Sequence, residues 1–255
     1  MSLRLDIGWL LATGLLSVRV AAATMLAPVF GPTQIPGTVR VIITLALSSM
    51  IVAALPTSEP AITSVPQLTA AALSELIIGA SLSFGFLAAY AATQVAGRVL
   101  DIQIGFGVAS VLNPAVQGFA SLLGTAFGMV AVAVFLGMNG HHVLIQALAM
   151  SAHNVPPGAV AYALDWGAVF QQSGVMFTFG AALAAPVMLA LLLTDVAMSV
   201  LARSMPLLNV FVLSFSVKIV LGLTALAASI KLSEPLLRAL YGTTYEYWER
   251  TAGVH

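Results

Sequence analysis

LTAAALSELIIGASLSFGFLAAYAAT, residues 68–93, holds one ionised side chain, Glu75, in an otherwise apolar run. A helix needs about 20 apolar residues to cross the hydrocarbon of a bilayer. Five further stretches share this character: about 8–29, 39–55, 120–138, 174–200 and 207–230. No stretch alternates apolar and polar residues over about ten positions, which argues against a membrane β-barrel. Lipid offers no partners to backbone N–H and C=O groups, so these stretches must satisfy them internally as helices. The expected fold class is all-α, a multi-helix integral membrane protein.

Composition excludes most other classes. Of 255 residues, 60% are hydrophobic and 7% charged, against about 25% charged in soluble domains. Mean hydropathy is +1.04. Nine basic and nine acidic side chains cannot hydrate the exterior of a soluble globule of this size. A formal net charge of +0 excludes a nucleic-acid binder that works by neutralising phosphates. The absence of cysteine excludes disulfides, thiolate metal sites and cysteine nucleophiles. The first run, Ile7 to Val18, follows one basic residue, Arg4, which Asp6 offsets. Apolar character resumes after Arg19, so a first membrane helix is expected rather than a cleaved signal.

The connections are punctuated by proline, which clashes inside a helix. Pro28, Pro32 and Pro36 separate the first two spans; Pro56, Pro60 and Pro66 precede the third. Asn154-Val155-Pro156-Pro157-Gly158 marks a break before the fifth. Gln94 to Gly118 is too apolar for a solvated loop and too interrupted for a span. It is expected to be a helix end followed by an irregular or re-entrant loop, tolerable at membrane depth only inside protein or a water-filled cavity. With six spans, one side would receive Arg4, Lys231, Arg238 and Arg250, the other Arg40, Arg98 and Arg203. That near balance sets no orientation.

Arg19, Glu75, Asp195 and Lys218 lie within or beside apolar stretches. A charge at mid-bilayer costs about 2.5–3.5 kcal/mol on insertion scales, so each needs a partner or a cavity. One reading is an ion or proton relay; the other is pairing between helices or subunits, favoured because the charges are scattered one per helix. Arg98 and Asp101, three apart, can pair on one helix face, and Asp195 and Arg203 also share a face. His141, His142 and His153 lack metal-ligand spacing, and no nucleotide or hydrolase motif is present, so no enzyme is expected. Gly124 and Gly128, Ala88 and Ala92, and Ala181 and Ala185 suit close helix packing. The segment Gly105-Phe106-Gly107-Val108, continuing through Val111-Leu112-Asn113-Pro114, could close a channel by excluding water; an ordinary turn is the plainer alternative. From Leu232 the chain gains polarity and carries Tyr241, Tyr245, Tyr247 and Trp248. A short amphipathic end at a membrane–water boundary or against a partner is expected there, or a frayed terminus.

These residues, taken in order, resemble the FliR family of flagellar biosynthetic proteins, the R-type subunit of the type III export gate. The resemblance rests on Arg19, Pro28-Val29-Phe30, Pro36 and Arg40; on Glu75 and Gly79; and on Gly97, Asp101, Gln103, Gly105 and Phe106. Asn139-Gly140-His141, Ser151, Pro156, Ala185-Pro186, Asp195, Arg203, Pro206, Asn209, Phe211 and Lys218 complete it. Asn113 stands where the family commonly has aspartate, Leu207 where it has glutamine, and Ser216 where it often has proline. The last difference implies a less bent final helix.

The resemblance implies a single FliR-type membrane domain over 1–255, built of helical hairpins, with a FliP-like N-terminal part and a FliQ-like C-terminal part. It implies a structural pore subunit that assembles with multiple copies of FliP and FliQ, with FlhB around the base. The assembly would lie in the bacterial inner membrane at the flagellar basal body and pass rod, hook and filament proteins. The loop near 105–118 would plug the closed channel. Arg19, Glu75, Arg98, Asp101, Asp195, Arg203, Asn209 and Lys218 are the candidate structural and interface residues. Energy would come from the proton motive force and a separate ATPase, so no cofactor, metal or nucleic acid is expected. Alternatives are the homologous virulence-type export subunit and a proton-coupled transporter of small solutes.

Overall fold

The computed structural model describes residues 7–25, 36–54, 62–106, 121–159, 165–205 and 210–252. Seven helices and no strand occur among them: α1 Ile7–Met25, α2 Gly37–Ala54, α3 Val65–Ile104, α4 Leu122–Gly137, α5 Gly140–Asn154, α6 Trp166–Ser204 and α7 Val210–Ala252. Five are long and apolar enough to cross a membrane, or up to six if α4 and α5 count as one broken span. The fold is that of an all-α membrane protein.

Local chemistry sets the boundaries. Ser121 caps α4, its hydroxyl accepting from the Gly124 N–H at 2.8 Å. Asp165 does the same for α6, accepting from the Ala168 N–H at 3.1 Å. Between α4 and α5, Asn139 adopts φ 57°, a left-handed conformation that asparagine tolerates, and the two helices are bent by 68°. In α1 the buried residues Ala12, Leu15, Leu16, Arg19, Val20 and Ala23 follow a helical period, so one stripe faces protein. Pro186 and Pro235 sit inside α6 and α7.

The chain forms two compact units. The first comprises Met1–Ala88, Asn139–Ser173 and Gly242–His255; the second comprises Ala89–Met138 and Gly174–Tyr241. The core of the first contains Leu16, Val20, Ile78, Leu82, Phe86, Leu148 and Trp248. The core of the second contains Ala96, Leu100, Ile104, Phe135, Leu183, Leu191 and Tyr241. Burial differs sharply along the apolar helices: 61% of the most apolar 18-residue window of α3 is buried, but 11% of that of α7. Exposed Val212, Leu213, Val220, Leu221 and Leu223 on α7 need lipid or protein to cover them.

Within Gln94 to Gly118 the helix end is present: α3 continues through Arg98 and Asp101 to Ile104, and the break falls at Gly105, whose φ is +107°. The expected loop beyond residue 106 lies outside the described residues. One expectation from the sequence is corrected here: the chain after Leu232 is not a short or frayed end. It is the last part of the 43-residue α7, with Tyr241, Tyr247 and Trp248 buried. Their polar atoms find partners inside the protein, so these three aromatics form no membrane-boundary belt.

Candidate functional site

The most deeply buried charges lie in the first unit. Arg19 on α1 and Glu75 on α3 both have fully buried side chains. The Arg19 Nε donates to Glu75 Oε2 at 2.6 Å and one terminal nitrogen donates to Oε1 at 3.0 Å, a two-pronged pair. The guanidinium also donates to Ser151 Oγ at 3.2 Å and to the Val155 carbonyl at 2.9 Å. Glu75 Oε1 further accepts from the Gly158 N–H at 3.2 Å. One residue earlier, the Ser74 hydroxyl donates to the Ala159 carbonyl at 2.8 Å. Charge and hydrogen-bonding capacity are therefore matched among α1, α3, α5 and the Val155–Ala159 turn. Gly79 lets α1 come close: a Cβ there would lie 2.3 Å from the Arg19 carbonyl oxygen.

A second polar seam in that unit ties the end of α7 to α3. Trp248 Nε1 donates to the Leu82 carbonyl at 2.6 Å, and the Tyr247 hydroxyl to the Ser81 carbonyl at 3.0 Å. Gln172 Nε2 donates to the Gly85 carbonyl at 3.3 Å. Gly85 makes room for both aromatics; a Cβ would meet the Tyr247 ring at 2.7 Å.

The second unit has a different charge pair. Lys218 Nζ lies 2.6 Å from Asp195 Oδ1, but their side chains are 21% and 42% exposed. Asp195 pairs with Lys218 rather than Arg203, which is exposed. Arg98 and Asp101 do not pair either. Arg98 points to the exterior, while Asp101 accepts from the Leu123 N–H at 3.2 Å. Nearby, Gln94 Nε2 donates to the Gly124 carbonyl at 2.8 Å. Gly97 and Gly124 touch so closely that a Cβ on Gly97 would lie 2.1 Å from the Gly124 nitrogen. The four-residue pair Gly124 and Gly128 thus lines a tight α3–α4 contact, with Tyr90 and Gln94 over Gly128.

Gly105 begins the candidate plug, and its Cα faces the Phe215 ring, 2.9 Å from where a Cβ would sit. Phe106 follows it; Gly107, Val108, Val111, Leu112, Asn113 and Pro114 lie outside the described residues, as does Asn209. The rings of His141 and His142 are 4.2 Å apart. Among the described residues, no three His, Asp or Glu side chains cluster as a metal site would require.

Sequence reasoning singled out Arg19 and Glu75 but could not join them, since 56 residues separate them. It missed the roles of the Val155 carbonyl, the Gly158 N–H, Tyr247 and Trp248. Gly79 and Gly85, which interrupt an otherwise bulky face of α3, were the local trace of those contacts.

Apolar helices of spanning length, joined by buried polar seams, define a multi-pass membrane protein. Residues 10–243 match the family described as bacterial export proteins, family 1, and the chain belongs to that family. It is 28% identical over 229 residues to the flagellar biosynthetic protein FliR of Escherichia coli (strain K12), covering 89% of this chain and 87% of that one. It is 26% identical over 236 residues to FliR of Bacillus subtilis (strain 168), covering 91% of each. It is also 30% identical over 152 residues to the Yop proteins translocation protein T of Yersinia pestis, covering 56% and 58%. The FliR family is thus established for this chain, a membrane subunit of a type III export apparatus.

Proposed function

We propose that the chain is a structural pore subunit of the flagellar export gate. It assembles with FliP and FliQ in the inner membrane, contacts FlhB, and lines the path of rod, hook and filament proteins. The observation that carries this reading is the family match over residues 10–243 on a chain whose α2, α6 and α7 are largely uncovered, with 11% of the α7 window buried. Such helices suit an obligate hetero-oligomer better than a self-sufficient carrier. The segment from Gly105 to Pro114 acts as the plug of the closed channel. The charge pairs and the α3–α4 contact hold the subunit's shape, and the protein performs no catalysis.

Co-expression with FliP and FliQ, followed by detergent purification, should yield a stable complex, and removal of the subunit should abolish flagellar protein export. A long-lived solitary monomer, with export intact without it, would overturn the reading. The virulence-type alternative draws on the likeness to the Yersinia translocation protein and predicts loss of effector secretion instead. The transporter reading calls for an unpaired carboxylate within the helices, whereas Glu75 is paired with Arg19 and Asp195 with Lys218. Glu75→Gln should therefore impair assembly and export, with no small-solute uptake to lose.

A further inference from the structure

Within the second unit, the end of α3 is met by the first half of α7. Ile104 closes α3 and is fully buried. The Gly105 N–H donates to the Asp101 carbonyl at 3.1 Å, and the chain then turns at φ +107°. Glycine adopts that backbone without strain, and other residues rarely do. Phe215, Lys218 and Gly222 stand at i, i+3 and i+7, on one face of α7. Each member of this face has a counterpart. A Cβ on Gly105 would lie 2.9 Å from the Phe215 ring. A Cβ on Gly222 would lie 2.7 Å from Ile104 Cγ1 and 3.5 Å from Leu191 of α6. Lys218, between them, is held at 2.6 Å by Asp195, which is one helical turn from Leu191.

Two properties set this contact apart from ordinary packing. Gly105 has independent reasons to be glycine, one in its backbone and one in its neighbour. Moreover, α7 has little other cover here. Only 11% of its most apolar window is buried, and Val212, Leu213 and Val220 beside the contact are exposed. The seat of Gly222 on Ile104 and the tether of Lys218 to Asp195 therefore set the height and rotation of α7. They thereby decide where the Phe215 ring lies, and the ring bears on the residue at which the chain leaves α3.

We propose that Phe215 and Gly222 are positioning residues that seat the turn at Gly105 and so set the closed position of the segment that begins there. The Asp195–Lys218 pair fixes α7 at the height this seat needs. The proposal rests on the reading of Gly105 to Pro114 as a plug, and it adds the element that holds the plug at rest. The competing explanation is that the contact only stabilises the subunit, and it predicts lost assembly without a leak.

The test uses the full complex, co-expressed with FliP and FliQ and reconstituted in planar lipid bilayers. Resting potassium conductance is recorded there, and flagellar protein export is followed in cells. Deleting residues 107–113 tests the plug itself and should raise resting conductance many-fold. Phe215→Ala should raise it several-fold while co-purification and export are retained. Phe215→Leu keeps apolar bulk and should raise it less. Gly222→Ala presses α7 away from Ile104 and should also leak. Gly222→Ala with Ile104→Ala should restore closure, because the added methyl enters the space that the shortened side chain gives up. A deletion that leaks beside Phe215 and Gly222 variants that stay tight overturns the positioning role and leaves the plug reading standing. A deletion that stays tight overturns both. Loss of co-purifying subunits in Phe215→Leu and Gly222→Ala alike also overturns the positioning role, because the contact is then one of assembly.

Discussion

The ion pair of Arg19 with Glu75 and that of Lys218 with Asp195 each join two helices, and they are finished to different degrees. Arg19 and Glu75 are fully buried, and their remaining capacity is taken up by Ser151, Val155 and Gly158. Lys218 and Asp195 meet at the same 2.6 Å distance but stay partly exposed on α7 and α6, whose apolar windows are 11% and 28% buried. The first pair is an internal structural element that the chain completes for itself. The second is completed only by whatever covers α6 and α7, since hydrocarbon cannot solvate an exposed carboxylate.

That contrast can be broken most decisively at Arg19. Removing one member of a buried pair strands the other charge, at a typical cost of about 3–5 kcal/mol. Arg19→Met or Glu75→Leu alone should sharply lower the unfolding midpoint in mild detergent. The double change should recover most of the loss; if the singles are silent, the pair is not a stability element. Next in size, Gly97→Ala forces a methyl into the Gly124 backbone. Overpacking of this kind costs about 1–3 kcal/mol, and the same melts should place this change near the upper end because backbone cannot rotate away. Trp248→Phe keeps an aromatic side chain but deletes the bond to the Leu82 carbonyl and part of the buried indole. A loss of at least about 1 kcal/mol is expected. Asp195→Asn should cost the isolated chain less than about 1 kcal/mol, because a partly exposed pair contributes little. In the assembled complex the same change should cost more, which native gels of the co-purified complex would read as dissociation. An equal effect in both settings would mean that nothing completes the pair.

The spans were legible because span length and apolarity are local properties. The described part of each of the six stretches falls mainly on a helix, and residues 68–93 lie within the most buried of the spanning helices. The composition that reveals a span also hides its end. Gln94 to Gly118 reads as a helix end and then a loop, but the residue at which one gives way to the other is not legible; α3 runs to Ile104, with Gln94 and Asp101 bonded to the start of α4. The same limit applied to α5, which is too short and polar to stand out, and to the end of α7. Its polarity suggested a boundary, whereas the partners of Tyr247 and Trp248 lie 166 residues away in α3. Charges were legible as problems needing partners. Which partners solve them depends on contacts across the fold, and no periodicity encodes those.

The return of the last helix to α3 affects the order of events on the ribosome. Ser81, Leu82 and Gly85 are translated long before Tyr247 and Trp248, which cover them. A nascent chain therefore keeps this face of α3 uncovered until Tyr247 and Trp248 emerge. A message truncated ahead of Tyr247 would yield a product whose early half is unsealed, marking it for proteolysis before it can enter a secretion machine.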